Sequence, residues 1–360
     1  MTSGVLSLKC ETSIPLQKIR CELSTSWLAN ISAKHVFSAL CQALVGLFMR
    51  AQESIRRKRS QNPIIVHNRG SCSMSLQVWL ITGASSGFGL CMTRHVLSKG
   101  DIAVATLRQP SALDSLKAQY PESQLLILKL DVTIPSDITA AFASAKERFG
   151  RVDVVFNNAG LGVVGETEAT PENVARDLFD VNFWGADRIN REAVRFFREE
   201  NEPRKGGRII VNSSYVGIGT IPGIAYYSAA KHALEGVTKC LKAELDPEWN
   251  IKITLVEAGF FNTNLGRDKV ILHPVHPAYE SVAKTTKDRE YLASVILNGD
   301  SAEKGVAKMY DLSLLENPPL HLPLGKDVLV GFKAFAEELT EVVHTYATWS
   351  DNLGNDSDST

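Results

Sequence analysis

The feature that most constrains this chain is a regular exchange of short apolar runs and longer helix-like stretches that begins at Gln77. Val78-Trp-Leu-Ile81 is an unbroken apolar run closed by a glycine-rich turn, the pattern of a buried strand. Gly87 to Ser98 reads as a helix. Ile102 to Leu107, Leu125 to Leu130, Val152 to Phe156, Arg208 to Val211 and Ile251 to Val256 read as further strands. Thr139 to Phe149, Pro171 to Glu200 and His232 to Leu245 carry helix-forming composition. Strands that alternate with helices predict an α/β fold with a parallel, doubly wound sheet. Ligands of such sheets sit at the carboxyl ends of the strands. The residues after each strand are therefore the candidates for function.

After the first strand comes Thr82-Gly-Ala-Ser-Ser-Gly-Phe-Gly89. Gly83, Gly87 and Gly89 allow a tight turn and a close approach of a diphosphate to the backbone. The following helix start offers free N–H groups and a partial positive charge. The spacing is Gly-x-x-x-Gly-x-Gly, which differs from the Gly-x-Gly-x-x-Gly dinucleotide fingerprint. After the second strand an enzyme specific for NAD carries an acid for the ribose 2′-hydroxyl. Here the strand ends in Thr106-Leu-Arg108. Arg108 can pair with a 2′-phosphate through its planar fork, or stand as a solvated surface residue. Ser85 can add a hydroxyl to the same phosphate. After the third strand, Asp131 can accept from an adenine amino group or cap the next helix. After the fifth comes Asn212-Ser-Ser214, where the Ser214 hydroxyl can hold the oxygen of an alcohol or ketone.

Tyr227-Ser-Ala-Ala-Lys231 places a tyrosine and a lysine one turn apart on a helix face. Free tyrosine loses its proton near pH 10, so acid/base work at neutral pH needs about 4 kcal/mol of help. One positive charge about 4 Å away at an effective dielectric of about 20 gives roughly that much. Lys231 is thus of the right size to lower the ionisation of Tyr227.

Charge is unevenly spread. Met1 to Ser73 carries ten basic residues and three acidic ones, an excess of +7 in a chain of net charge −1, so the remainder carries −8. That acidic body argues against a nucleic-acid partner. Within Met1 to Ser73, the apolar run Val36 to Met49 is shorter than the about 20 residues a bilayer needs. The segment reads as a targeting sequence, an interfacial amphipathic anchor, or a leader ahead of a start at Met74. The last two are preferred, because Met74 opens directly into the first strand. Residues 74–350 are expected to form one domain, and residues 351–360 a disordered tail. No Cys-x-x-Cys pair or clustered ligand set supports a metal site. Cys91 and Cys240, placed in helices, are expected to be buried, inert thiols. A cytoplasmic protein is expected, with membrane or organelle association only through residues 1–73.

Taken together these residues resemble the short-chain dehydrogenase/reductase family, from about Gln77 to Leu265. The order and spacing that carry the resemblance are Thr82-Gly-x-x-x-Gly-x-Gly89, Asp131, Asn157-Asn-Ala-Gly160, Asn182, Ser214 and Tyr227-x-x-x-Lys231. The resemblance implies a Rossmann-like sheet of about seven parallel strands with helices on both faces. It also implies a nicotinamide cofactor, here NADP(H), bound by Gly83, Ser85, Ser86, Gly87, Phe88, Gly89, Arg108, Asp131, Asn158, Ala159, Gly160, Tyr227, Lys231 and Thr263. By the same resemblance Tyr227 is the acid/base, Lys231 lowers its pKa and binds the nicotinamide ribose, and Ser214 polarises the substrate oxygen. Asn182 sits at a helix irregularity and holds a water that relays protons to Lys231. Two residues depart from the family pattern: Phe88 replaces an isoleucine, and Ala258-Gly259 replaces a Pro-Gly. Pro318 to Gly325 resembles the last strand of members acting on hydrophobic carbonyls, and Leu265 to Gly299 is expected to cover the substrate. The expected activity is interconversion of an alcohol and a ketone or aldehyde, with a hydrophobic small-molecule substrate and a homo-oligomeric assembly. A non-catalytic cofactor-binding protein and a nucleotide-sugar epimerase or dehydratase are the rival readings.

Overall fold

The computed structural model describes residues 76–263, 270–282 and 299–351, together with residues 290, 292, 294 and 353. The N-terminal segment of residues 1–73, most of the tail and part of the expected substrate cover lie outside the described residues. Seven parallel strands form one sheet: β1 (Val78–Thr82), β2 (Ile102–Leu107), β3 (Leu125–Lys129), β4 (Val154–Asn157), β5 (Gly207–Asn212), β6 (Ile251–Ala258) and β7 (His321–Leu324). Their spatial order is β3-β2-β1-β4-β5-β6-β7. Every neighbouring pair is parallel, with Thr82 opposite Thr106 and Ile81 opposite Phe156. The order reverses between β1 and β4, and that switch point opens a crevice at the strand ends.

Successive side chains on a strand face opposite ways. Trp79 and Ile81 enter one core, with Met92, Phe156, Met309 and Tyr310. Val78 and Leu80 enter the other, with Phe142, Phe196, Phe197, Ile253 and Leu255. Burial on both faces explains why β1 is apolar at every position rather than alternating. Helices α1 (Gly87–Ser98), α2 (Pro135–Phe149), α4 (Ala186–Glu199), α5 (Ala225–Glu244) and α6 (Ala302–Ser313) cover the two faces. Between α2 and α4 the predicted single helix is interrupted. It divides into α3 (Glu172–Phe179), a π-helical segment Asp180–Gly185, and α4. Gly185 at the end of the π-helical segment lets Val132 pack close against the helix, since a Cβ there would sit 2.7 Å from Val132. The helix α7 (Lys326–Tyr346) follows β7 and buries only Val328.

The expectation of buried thiols is corrected. Cys240 is exposed and Cys91 only half-buried. Both lie in helices as read, but position 240 falls beside exposed Lys239 on the outer side of α5. No described helix is long and apolar enough to cross a membrane.

The fully buried Trp79 ring stacks on Tyr310 at 5.3 Å, and the Tyr310 hydroxyl donates to Asp101 Oδ2 at 2.6 Å. This couples α6 to the turn before β2. Tyr310→Phe is expected to lower stability by about 1.5–3 kcal/mol, the usual loss of a hydrogen bond to a charged group. Urea denaturation of the two proteins measures it.

Candidate active site

The crevice between β1 and β4 is built from backbone geometry before any catalytic side chain enters. Gly83 has φ +70, and a Cβ there would lie 2.9 Å from Ala159 Cα. At Gly89 a Cβ would lie 2.2 Å from the Gly83 carbonyl oxygen. Both positions therefore exclude any other residue without movement of the loop. Ser86 stands at the N-cap of α1, which points its N–H groups and positive dipole end into the crevice. Phe88, the substitute for isoleucine, is buried edge-on against Phe261 at 5.0 Å. It fills space beneath the loop rather than blocking it.

The Asn157-Asn-Ala-Gly160 segment ties the strands together. Asn158 and Ala159 donate their N–H groups to Thr82 Oγ1 at 2.8 and 3.0 Å. Asn158 Nδ2 donates to Thr82 O at 2.9 Å and Asn212 Nδ2 donates to Asn158 Oδ1 at 3.0 Å. Asn182 lies in the π-helical segment, as the resemblance implied. Its Oδ1 accepts from Leu161 N at 2.9 Å and its Nδ2 donates to Leu161 O at 2.8 Å. The side chain therefore braces the floor of the site, packed against Gly160.

One cavity gathers Gly83, Ser86, Gly87 and Phe88 with Asn158, Ala159, Gly160, Ser214, Tyr227, Lys231 and Thr263. Gly89, Ser85, Arg108, Asp131 and Asn182 do not line it. Arg108 is exposed at the end of β2. Asp131 accepts from Thr133 N and Oγ1 at 2.9 and 2.7 Å. Burial opposes its charge, but these hydrogen bonds, with Arg108 and Lys129 nearby, hold it below the usual carboxylate range. Asp131 thus closes a local turn two residues long and does not cap the next helix, whose N-cap is Ile134; Arg108 is its neighbour. Apolar walls are supplied by Val163, Val164, Ile224, Phe260, Val270 and Leu292. Val270–Leu272 pairs with Gly162–Val164, so part of the expected cover does lie over the cavity.

Ser214 caps a short 3-10 turn, accepting from Val216 N at 3.4 Å, and hydrogen-bonds Tyr227. Lys231 is 5 % exposed and donates from Nζ to Asn212 O at 2.7 Å. Its Nζ stands 5.7 Å from the Tyr227 ring centre. The expectation that Lys231 lowers the tyrosine ionisation is not met in this geometry. Burial pushes Tyr227 up to about 12, opposed only by Ser214. Burial likewise brings Lys231 down to about 8, against the pull of Glu235. Desolvation outweighs one lysine at this distance.

The loop that lacks the usual proline is anchored another way. Asp327 of α7 accepts from Phe260 N at 3.0 Å, and Gly259 N donates to Leu324 O at 2.9 Å. A Cβ at Gly259 would lie 2.3 Å from the Asp327 carboxylate. This glycine makes room for the anchor.

Sequence reasoning missed a buried charge cluster behind the cavity. Glu235, Glu257 and His321 bring their ligating atoms within 4.8 Å of one another, although the chain spaces them far apart. His321 Nδ1 meets Glu257 Oε1 at 2.5 Å and Glu235 Oε2 at 3.8 Å. Ser213 Oγ donates to Glu235 Oε1 at 2.6 Å, and Lys239 stands 3.8 Å from Glu235 Oε2. The signal available was Glu257 near the buried carboxyl end of β6, where a charge needs a partner. His321 and Lys239 supply cations, so the carboxylates are balanced by the protein itself.

The short chain dehydrogenase family model matches residues 77–270. An uncharacterized oxidoreductase of Schizosaccharomyces pombe is 35% identical over 277 residues, covering 77% of this chain and 91% of its own. The chain belongs to the short-chain dehydrogenase/reductase family. A protein of Bacteroides thetaiotaomicron named 3-ketodihydrosphingosine reductase is 30% identical, with 76% of this chain and 97% of that one covered. Among solved structures, a short-chain dehydrogenase from Streptomyces avermitilis superposes with a TM-score of 0.71 at 33% identity, covering 79% of this chain and all of that one. The protein is a short-chain dehydrogenase/reductase-type oxidoreductase.

The hydrogen bond to Glu257 holds His321 above its ordinary value, and burial raises Glu235. For both groups the folded state keeps its proton more tightly than the unfolded one. The stabilisation from His321 is complete below about pH 6.5 and is lost as pH rises through its raised folded value. Glu235 adds a loss of the same sign at lower pH. Replacing His321 with a permanent cation, His321→Arg, is expected to flatten the fall in melting temperature above about pH 6.5. A pair of melting series across pH decides it. An equally steep fall in the variant would place the titrating group elsewhere.

Proposed function

We propose that this protein is an NADP(H)-dependent oxidoreductase that interconverts a hydrophobic alcohol and its ketone or aldehyde. The observation that carries the reading is the convergence of Ser214, Tyr227 and Lys231 in one cavity with the glycine cradle. Loss of the tyrosine or lysine would have favoured a binding protein; both are present and line the same cavity. The Bacteroides relative's name supports a ketone substrate, and the apolar walls support a hydrophobic one.

The residues present fit a nicotinamide dinucleotide. Gly83 and Gly89 let the loop close tightly on Ala159 and on itself, which leaves Gly83, Ser86 and Gly87 at the start of α1 lining the open cavity. The glycine loop and α1 would hold the diphosphate, Lys231 the ribose hydroxyls, and Thr263 the nicotinamide amide. When bound, that cofactor supplies or accepts the hydride. The chain's own part is position and proton chemistry. Ser214 donates a hydrogen bond to the substrate oxygen, fixing the carbonyl carbon in the cavity. Tyr227 keeps its proton at neutral pH and gives it to that oxygen as negative charge develops there. Lys231, fixed by Asn212 O, stabilises the charge left on the phenol. Asn182 holds Leu161 and Gly160 in place, and a proton relay toward Lys231 would run beside them.

Tyr227→Phe is expected to abolish nearly all turnover while leaving cofactor affinity within a few fold, since the phenolic proton carries the chemistry. Steady-state rates with carbonyl substrates, paired with NADPH fluorescence titration, measure both. Turnover within tenfold of wild type would refute the assignment.

Preference for NADP over NAD rests on Arg108. Leu107 occupies the place of the ribose-binding acid, and leucine neither accepts from a 2′-hydroxyl nor repels a phosphate. Exposed Arg108 can form a charge-assisted contact to a 2′-phosphate. Such a bond contributes roughly 1.5–3 kcal/mol, equivalent to about ten- to more than a hundredfold in affinity. Titrations of NADPH and NADH against wild type and Arg108→Ala should show this preference and its loss. Equal affinities in wild type would overturn the NADP assignment.

A further inference from the structure

Resting on the oxidoreductase reading of the cavity, we infer that Asp327 selects the substrate, favouring a hydrophobic ketone or alcohol that carries a cationic amine close to the reacting carbon. Among the described residues that line the cavity, Lys231 and Asp327 are the charged ones. Lys231 donates to Asn212 O and stands beside the tyrosine, so its charge is already engaged. Asp327 takes no part in that proton chemistry. It is a carboxylate at the edge of a cavity whose walls are otherwise largely apolar.

The carboxylate stands on the substrate side of the cavity, away from the glycine cradle. Ser214, which holds the reacting oxygen, donates to Ala258 O at 3.5 Å. Gly259 follows Ala258, and the Asp327 carboxylate packs directly on it, 2.3 Å from where a Cβ would stand. Gly325 leaves room on the other side, with its Cβ position 2.4 Å from Asp327 Oδ1. Tyr215 and Phe260 line the cavity with Asp327, and α7 closes on the Tyr215 ring at Gly331. Asp327 therefore stands one residue beyond the contact of Ser214, where it can meet a group a few bonds from the carbonyl.

Its bonding within the protein is incomplete. Phe260 N donates to Oδ2 at 3.0 Å, and among the described residues no hydrogen bond reaches Oδ1 and no cation pairs with the carboxylate. Its place in the first turn of α7 suits a negative charge, at the positive end of the helix. An apolar substrate that fills the cavity strips water from this carboxylate and returns nothing, which is costly. An anionic substrate adds repulsion. An ammonium replaces the lost water with a charge-assisted hydrogen bond. Val163, Val164, Ile224 and Leu292 then cover the hydrocarbon part. Selection thus comes from attraction to the amine and from a penalty on its uncharged counterpart.

Two alkyl ketones separate the outcomes. They are identical except that the carbon next to the carbonyl bears a dimethylammonium group in one and an uncharged isopropyl group in the other. With wild type and NADPH, kcat/KM for the ammonium ketone is expected to exceed that for the isopropyl ketone by about tenfold or more, mainly through KM, as one hydrogen bond to a charged group would give. Asp327→Asn keeps an acceptor for Phe260 N and removes the charge, so the ratio should fall to near unity. Rising salt should erode the preference of wild type, because the carboxylate is exposed. Equal kcat/KM for the two ketones in wild type overturns the role of Asp327 and leaves the oxidoreductase reading standing. Turnover of neither ketone overturns that reading, and this role with it. An Asp327→Asn protein that keeps the ammonium preference also overturns the role. If that variant does not fold, the salt series decides: a ratio that stays constant from low to high salt excludes an exposed carboxylate as the selecting group.

Discussion

The site depends on how one hydroxyl joins two strands. Where the sheet order reverses, β1 and β4 lead their chains away in opposite directions, and the strand ladder can no longer satisfy the backbone. Thr82 Oγ1 replaces the missing acceptor for the N–H groups of Asn158 and Ala159. Asn158 returns a hydrogen bond to Thr82 O and passes a second contact on to Asn212. Lys231 donates to the carbonyl of that same Asn212. An unpaired buried N–H costs about 1–3 kcal/mol, so loss of this hydroxyl would unsettle several groups together. The glycine cradle, the cavity floor and the lysine are thus held by one continuous polar network.

A second polar system stands behind the first. Glu235 lies one turn after Lys231 on α5, and its carboxylate binds Ser213, the neighbour of Ser214. Glu257 lies at the end of β6, beside the loop that carries Phe260 and Phe261. His321 bridges the two carboxylates from β7. Buried charges seldom add net stability over apolar packing, but removing one partner of such a group is costly. Their effect here is geometric: the three strand ends and α5 keep a fixed relation, which fixes Ser214 against Tyr227 and Lys231.

The central strands were legible because this sheet is buried on both faces, so β1, β2 and β4 are nearly unbroken apolar runs. The helix Gly87–Ser98 was read to the residue, because the glycine loop and the end of its apolar pattern bound it. The break at Asp180–Gly185 was not read from periodicity, since a π-helical segment keeps helical composition; only the resemblance, through Asn182, pointed to it. The cavity residues were legible from their places after strands. The Glu235–Glu257–His321 cluster was not, because its members sit on three elements and meet only once the sheet is assembled. Exposure of Cys240 was misread for a related reason: presence in a helix does not say which side of it faces the core.

The ionisation of Tyr227 shows why a motif alone does not fix chemistry. The Lys231 ammonium, 5.7 Å from the Tyr227 ring centre, favours the phenolate. Burial costs more than that, and the group stands at about 12. A phenol held so high is a poor base at neutral pH but remains a ready acid toward an oxygen that is becoming an alkoxide, whose conjugate acid is far weaker still. Proton transfer toward that oxygen is then downhill, whereas removal of a proton from a bound alcohol is not. A tyrosine held high suits an acid that keeps its proton until the oxygen beside it becomes basic.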